Sequence, residues 1–125
     1  MDQKNLKFTK EHEWIRVDGD EATIGITDFA AGELGDIVFV ELPKVGANVT
    51  ALQSMGTIEA VKTVADLFAP VTGSVTAING ALEHGPDLVN KDPFGDGWFV
   101  RVKMTNRKEL DALMDHAAYK SMIGK

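Results

Sequence analysis

Apolar and polar residues alternate in several short runs along this chain, and only a few stretches carry the three-four spacing of a helix. Ile15 and Val17 alternate with polar neighbours, which predicts a strand over 13–17. Asp18-Gly19-Asp20 is a turn signal, and Ala22, Ile24 and Ile26 then share one strand face, so the two runs read as a hairpin. Thr27 is placed to cap a short helix through about Leu34, with Gly35 ending it. Residues 36–42 form a largely apolar strand stopped by Pro43, and strands follow near 54–60, 63–68 and 73–78. Turn residues crowd 79–97, with room for one helical turn from Pro86 to Asn90. Trp98, Val100, Val102 and Met104 then line one strand face while Arg101 and Lys103 point away. Asn106 with Glu109 three residues later is a helix-start signature, and Leu110, Leu113 and Met114 give an apolar stripe. Asp115 caps a second helix that holds Tyr119 and Met122. Many short strands with a few helices predict a β-rich single domain over residues 1–125.

The segment around Lys62 is the most informative. Glu59-Ala60-Val61-Lys62-Thr63-Val64-Ala65-Asp66 is closed by Ala69-Pro70-Val71-Thr72-Gly73. Ile58, Val61, Ala65 and Phe68 fall near a three-four spacing, so the segment can also be drawn as a helix. From Thr57 to Val64, however, four residues are Val or Thr and a fifth is Ile, which favours strand–turn–strand. Such a hairpin, spanning about 54–73, lifts Lys62 to its tip, where an enzyme can reach it and where a swinging cofactor can be attached. Most lysines are plain solvated surface, and local pattern alone does not separate that reading from a modification site.

Composition narrows the partners. The chain has no cysteine, which rules out disulfides and thiolate metal sites, so any dithiol chemistry must come on a cofactor. A net charge of −6 disfavours nucleic acid and anionic membranes. No apolar run approaches the roughly 20 residues of a membrane span. The start Met1-Asp2-Gln3-Lys4-Asn5 lacks the patterns of a secretion signal or a transit peptide, so a bacterial cytoplasmic protein is the simplest expectation, ahead of a mature mitochondrial one. No Ser–His–Asp set, metal cluster or phosphate loop suggests an enzyme, and His12 reads as structural near Trp14, with His84 and His116 on the surface.

Five blocks in order carry a resemblance. Lys7-Phe8-Thr9 with His12-Glu13-Trp14 is the first, and Ala22-Thr23-Ile24-Gly25-Ile26-Thr27-Asp28 with Leu34-Gly35-Asp36-Ile37-Val38-Phe39-Val40-Glu41-Leu42-Pro43 is the second. The lysine segment, then Asn79, Leu82, Pro86, Leu88, Val89, Asn90, Pro93, Phe94, Gly97 and Trp98, and finally Ala118-Tyr119 complete the set. Over residues 6–123 the chain resembles the H proteins of the glycine cleavage system. That resemblance implies a barrel-sandwich hybrid of two antiparallel sheets, with the lysine hairpin at one end and C-terminal helices over about 106–123 packed on the body.

It further implies that Lys62 carries lipoic acid as lipoyllysine, and that Glu59 and Gly73 serve recognition by the lipoylating enzyme. Glu13, Glu33 and Asp66 would line the cleft that shelters the aminomethyl-loaded arm. The implied cycle takes the aminomethyl group from a pyridoxal-phosphate glycine decarboxylase. It passes the methylene unit to a tetrahydrofolate-dependent aminomethyltransferase, and a flavin (FAD) dihydrolipoamide dehydrogenase reoxidises the dithiol. The chain is then a carrier, expected to be monomeric and to have no turnover of its own. Several positions depart from the family pattern: Ala60 for serine, Thr63 for alanine, Phe29 for histidine or tyrosine, Ala31 for glutamine, and Glu33 where some relatives have histidine. A biotin carrier would place methionine on both sides of the lysine, and Val61 and Thr63 argue against it. A lipoyl relay that donates its group to other acceptors stays open.

Overall fold

The computed structural model describes residues 5–124; the Met1–Lys4 part of the N-terminal stretch lies outside the described residues. Among the described residues nine strands run in chain order: β1 (Lys7–Phe8), β2 (Glu13–Asp18), β3 (Glu21–Ile26), β4 (Ile37–Glu41), β5 (Asn48–Val49), β6 (Ser54–Ala60), β7 (Val64–Phe68), β8 (Gly73–Ile78) and β9 (Val100–Met104). The helices are α1 (Asp28–Leu34), α2 (Ala81–His84), α3 (Leu88–Lys91) and α4 (His116–Met122), with a 3₁₀ helix over Arg107–Ala112. The strands form a six-stranded sheet in the order β1-β2-β3-β9-β8-β5 and a three-stranded sheet in the order β4-β6-β7. All pairings are antiparallel, as the β-rich reading expects, but the sheets do not close into a barrel.

The β2–β3 hairpin follows directly from its pattern. Ala22, Ile24 and Ile26 are buried, and Gly19 takes the left-handed conformation that the Asp18-Gly19-Asp20 turn requires, with φ 62°. Thr27 accepts the Ala30 N–H at 3.2 Å to cap α1, and Gly35 closes that helix with φ 79°. The main core lies between the sheets around Ile15, Ile24, Ile58, Leu67, Val75 and Val102. A second cluster of Leu6, Phe8, Trp14 and Tyr119 fixes α4 to the body, with Phe8 and Tyr119 stacked at 4.6 Å.

Strand β4 is the largely apolar strand the pattern expects, and a register shift between Ile37 and Phe39 turns Val38 and Phe39 outward together, as a bulge does. Three expectations need correction. Trp98 does not share the face of Val100, Val102 and Met104. It precedes β9, packs against the second cluster, and has the Arg101 guanidinium 4.5 Å over its ring. Asn106 caps only a 3₁₀ helix, and Glu109 does not complete a capping box. Its carboxylate instead accepts the Thr72 N–H and hydroxyl, each at 2.7 Å. His116 is half-buried beside Phe8 rather than a plain surface residue, while Met122 on α4 is exposed. The two-residue strands β1 and β5 and the short helix α2 were not anticipated.

Candidate functional site

Strands β6 and β7 run in register from Thr57↔Asp66 to Glu59↔Val64, and the chain turns through Val61 and Lys62. Ala60 donates its N–H to Thr63 O at 2.8 Å, and Val61 donates to Asp36 O at 3.0 Å. The second bond ties the turn to the start of β4, so the exposed Lys62 sits on a braced tip rather than a loose loop. Neither Val61 nor Lys62 is left-handed, so two ordinary L-residues occupy the turn without backbone strain. Glu59 is exposed on β6, in a row between Phe39 of β4 and Val64 of β7. The row therefore presents one carboxylate between two exposed apolar side chains, on the face that leads to the lysine.

Gly73 does not join this turn. It opens β8 in the other sheet, between Val49 and Met104, and it is buried. A Cβ at Gly73 would lie 2.8 Å from both the Lys103 carbonyl carbon and Val102 Cγ1, and closer still to the Lys103 oxygen. It is thus a strand glycine, opening β8 as the sequence pattern expects, and close backbone approach demands it.

Glu13, Glu33 and Asp66 do come together. They line one cavity of about 560 Å³ whose walls include Ile26, Phe29, Ile58 and Phe68. Glu13 enters from the first residue of β2, Glu33 from α1 and Asp66 from β7. Glu33 and Asp66 are exposed at the mouth, and Ser54 Oγ donates to Asp66 Oδ1 at 3.3 Å. Glu13 is only 2% exposed. Its carboxylate accepts the Thr9 hydroxyl at 2.5 Å and the Phe68 N–H at 3.4 Å. A second, more apolar cavity of about 540 Å³ shares Glu11, Glu13 and Phe68 with the first and opens toward Phe8 and Leu113.

Burial pushes the Glu13 carboxyl up from 4.5 to about 7, against the hydrogen bonds from Thr9 and Phe68, with Glu11 adding to the rise. The folded protein therefore holds this proton where the unfolded chain has lost it. Between pH 4.5 and about 7 the folded state binds more protons, so this group's contribution to stability falls as pH rises through that window. At about 1.4 kcal/mol per pH unit, the change between pH 5 and pH 8 amounts to about 2.5 kcal/mol. Glu13→Gln is accordingly expected to gain about that much stability relative to the unmutated protein as pH goes from 5 to 8. Urea unfolding of both proteins at the two pH values reads this directly, and a difference independent of pH would show that Glu13 is ionised throughout.

His12 is a cleft residue that the sequence reading left out of the cleft. It lines the cavity, with its ring 5.0 Å from Phe29 and its Nδ1 2.9 Å from the hydroxyl of Tyr119, which shares a cluster with Trp14. It takes a left-handed backbone conformation, φ 70°, at the turn that links Thr9 to Glu13. No local signal reveals this, because Tyr119 is 107 residues away in sequence. Thr9, the partner of Glu13, was likewise invisible as a site residue.

A two-sheet body with a braced lysine turn beside an acidic cleft is the architecture of a lysine-bearing carrier domain. The chain belongs to the glycine cleavage H-protein family, whose profile matches residues 6–125. It is similar to the glycine cleavage system H proteins of Brevibacillus brevis and Bacteroides fragilis, each 52% identical over 96% of this chain and 95% of theirs. The crystal structure of a glycine cleavage system H protein from Mycobacterium marinum superposes with a TM-score of 0.89 at 36% identity, covering 98% of both chains.

Proposed function

We propose that the chain carries lipoic acid on Lys62 and shuttles an aminomethyl group between the enzymes of glycine cleavage. Its partners are then the pyridoxal-phosphate decarboxylase, the tetrahydrofolate-dependent aminomethyltransferase, FAD-dependent dihydrolipoamide dehydrogenase and a lipoylating enzyme. The observation that carries this reading is the pairing of an exposed lysine on a braced turn with a cleft that holds Glu13, Glu33 and Asp66.

The residues present fit the group. The apolar walls Ile26, Leu34, Ile58 and Ala65 suit an aliphatic arm, and the three carboxylates suit a cationic end. Val64 to Asp66 is two residues of strand, about 7 Å of rise, so the cleft lies within reach of a long flexible arm on Lys62. Bound as an amide, lipoic acid supplies a dithiolane that accepts the one-carbon cargo and removes the lysine charge. The protein's own part is presentation and shelter. The turn offers Lys62 in a fixed place to successive enzymes. Glu59 stands on the approach to the turn, where the lipoylating enzyme reads it. Glu13 gives up its proton when an ammonium arrives, because an adjacent positive charge favours the carboxylate over the acid.

The reading is tested by glycine–bicarbonate exchange. The lipoylated protein added to a glycine decarboxylase is expected to support exchange. Full lipoylation without exchange would overturn the shuttle role and leave a lipoyl relay. The cleft is tested separately, by the decay of the isolated loaded protein to ammonia and formaldehyde at neutral pH. Replacing one acid by its amide weakens an ionic contact worth about 1.5–3 kcal/mol, so Glu13→Gln and Asp66→Asn are expected to decay several-fold faster. Unchanged rates in both variants would show that the arm is held elsewhere.

A further inference from the structure

Three side chains from distant parts of the chain form a hydrogen-bonded row behind the cleft. Thr27 Oγ1 lies 2.7 Å from the Tyr119 hydroxyl oxygen, which lies 2.9 Å from His12 Nδ1. The direction of the protons along this row follows from the buried end. Thr27 is fully buried, and its oxygen already accepts the Ala30 N–H at 3.2 Å as the α1 cap. Its own proton has one acceptor at hydrogen-bond distance among the described residues, the Tyr119 oxygen. A buried hydroxyl left without an acceptor is costly. Thr27 therefore donates to Tyr119, and the single phenolic proton goes on to His12 Nδ1. The opposite direction, with Nδ1–H donating to Tyr119 and Tyr119 to Thr27, strands the Thr27 proton in the interior. Burial, with the charges of Asp28 and Glu13 nearby, raises the Tyr119 phenol above its ordinary value, so it keeps the proton this row needs.

We infer that Tyr119 is a positioning residue: it holds neutral His12 as the Nε2–H tautomer and so keeps a free imidazole lone pair out of the acidic cleft. The consequence for the cargo rests on the proposed shuttle function; the tautomer itself does not. His12 lines the same cavity as Glu13, Glu33 and Asp66, and with Nδ1 committed, Nε2 is the only ring nitrogen open to a ligand. The ring is held by Phe29 and Tyr119 at its sides, and the His12 carbonyl accepts the Thr27 N–H at 2.9 Å. From His12 the cleft thus receives a donor and no free lone pair.

That matters for a primary ammonium held through one carbon to sulfur. A base in the cleft takes a proton from the ammonium. The nitrogen lone pair then forms a carbon–nitrogen double bond, and the carbon–sulfur bond breaks with its electrons on sulfur. The thiolate regains the proton, and water hydrolyses the freed methyleneimine to formaldehyde and ammonia. With the histidine lone pair tied to Tyr119, the imidazole cannot serve as the acceptor of this first step. Glu13, ionised once the ammonium lies beside it, holds the cation by charge together with Glu33 and Asp66.

The test uses Tyr119→Phe, which removes the hydroxyl and keeps the ring that stacks on Phe8. Long-range proton–nitrogen NMR of the unlipoylated protein at pH 8, where imidazole is neutral, is expected to show His12 protonated at Nε2 alone. In Tyr119→Phe both tautomers should be populated. The loaded Tyr119→Phe protein is expected to decay about tenfold faster than the unmutated form, since a poised general base contributes 10²-fold or more at best geometry. The double variant His12→Asn/Tyr119→Phe should return to the unmutated rate, asparagine being tolerant of the left-handed backbone at position 12. A proton on Nδ1 in the unmutated protein overturns the inference. So does an unchanged decay rate in Tyr119→Phe, or a double variant as fast as the single, which would mark mere loosening of the fold. Failure of the cleft reading is distinguishable, because it appears as unchanged decay in Glu13→Gln and Asp66→Asn while the NMR result stands.

Discussion

Lys62→Arg is expected to abolish lipoylation and glycine–bicarbonate exchange completely while leaving the melting temperature unchanged. Acylation needs an amine that can lose a proton and attack an activated carboxyl group. The guanidinium stays protonated in proteins and offers no such lone pair, so conserving the charge does not conserve the chemistry. The fold should not notice the change. The turn is held by the backbone bonds Ala60 N–H to Thr63 O and Val61 N–H to Asp36 O, and the Lys62 side chain is exposed. Surface substitutions of this kind stay within about 0.5 kcal/mol. Intact-mass measurement after incubation with a lipoylating enzyme should show one addition on the unmutated chain and none on the variant. Survival of the addition, or two additions on the unmutated chain, would place the cofactor on another lysine.

The parts of this fold that were legible in the sequence are those where local chemistry and tertiary demand agree. Asp18-Gly19-Asp20 flanked by alternating strands forms the hairpin it announces. Thr27 and Asp115 cap α1 and α4 because each side-chain oxygen meets the N–H three residues on, whatever the rest of the protein does. The lysine segment could be drawn as a helix by its spacing, and the β-branched residues decided for strand. The misreadings share one cause. Glu109 has the sequence position of a capping-box acid, yet it is drawn off by the N–H and hydroxyl of Thr72, the residue just before β8 and 37 residues earlier. Trp98 alternates correctly with Val100 but lies before the strand begins, so period two does not apply to it. The cleft shows the same division. The carboxylates at Glu13, Glu33 and Asp66 were assigned through family resemblance, and three separate elements bring them to one cavity. The second layer behind them, Thr9, His12 and Tyr119, is assembled by long-range packing that no local pattern encodes.

Gly73→Ala is expected to cost about 3 kcal/mol or more, above the usual range for overpacking, because the clash is with backbone. An added methyl group meets the Lys103 carbonyl and Val102 Cγ1, both inside van der Waals distance. Neither can swing aside, since Gly73 is paired on both edges, to Val49 of β5 and to Met104 of β9. Relief requires parting β8 from β9, and β9 in turn carries β3 and the hairpin that holds Glu13. The variant also separates two roles for this glycine. If Gly73 serves only packing, urea unfolding should show the loss, and lipoylation per folded molecule should proceed at the unmutated rate. Recognition of Gly73 by the lipoylating enzyme would appear instead as a slower rate per folded molecule. The buried position of Gly73, in the sheet that does not contain the lysine turn, makes the first result the expected one.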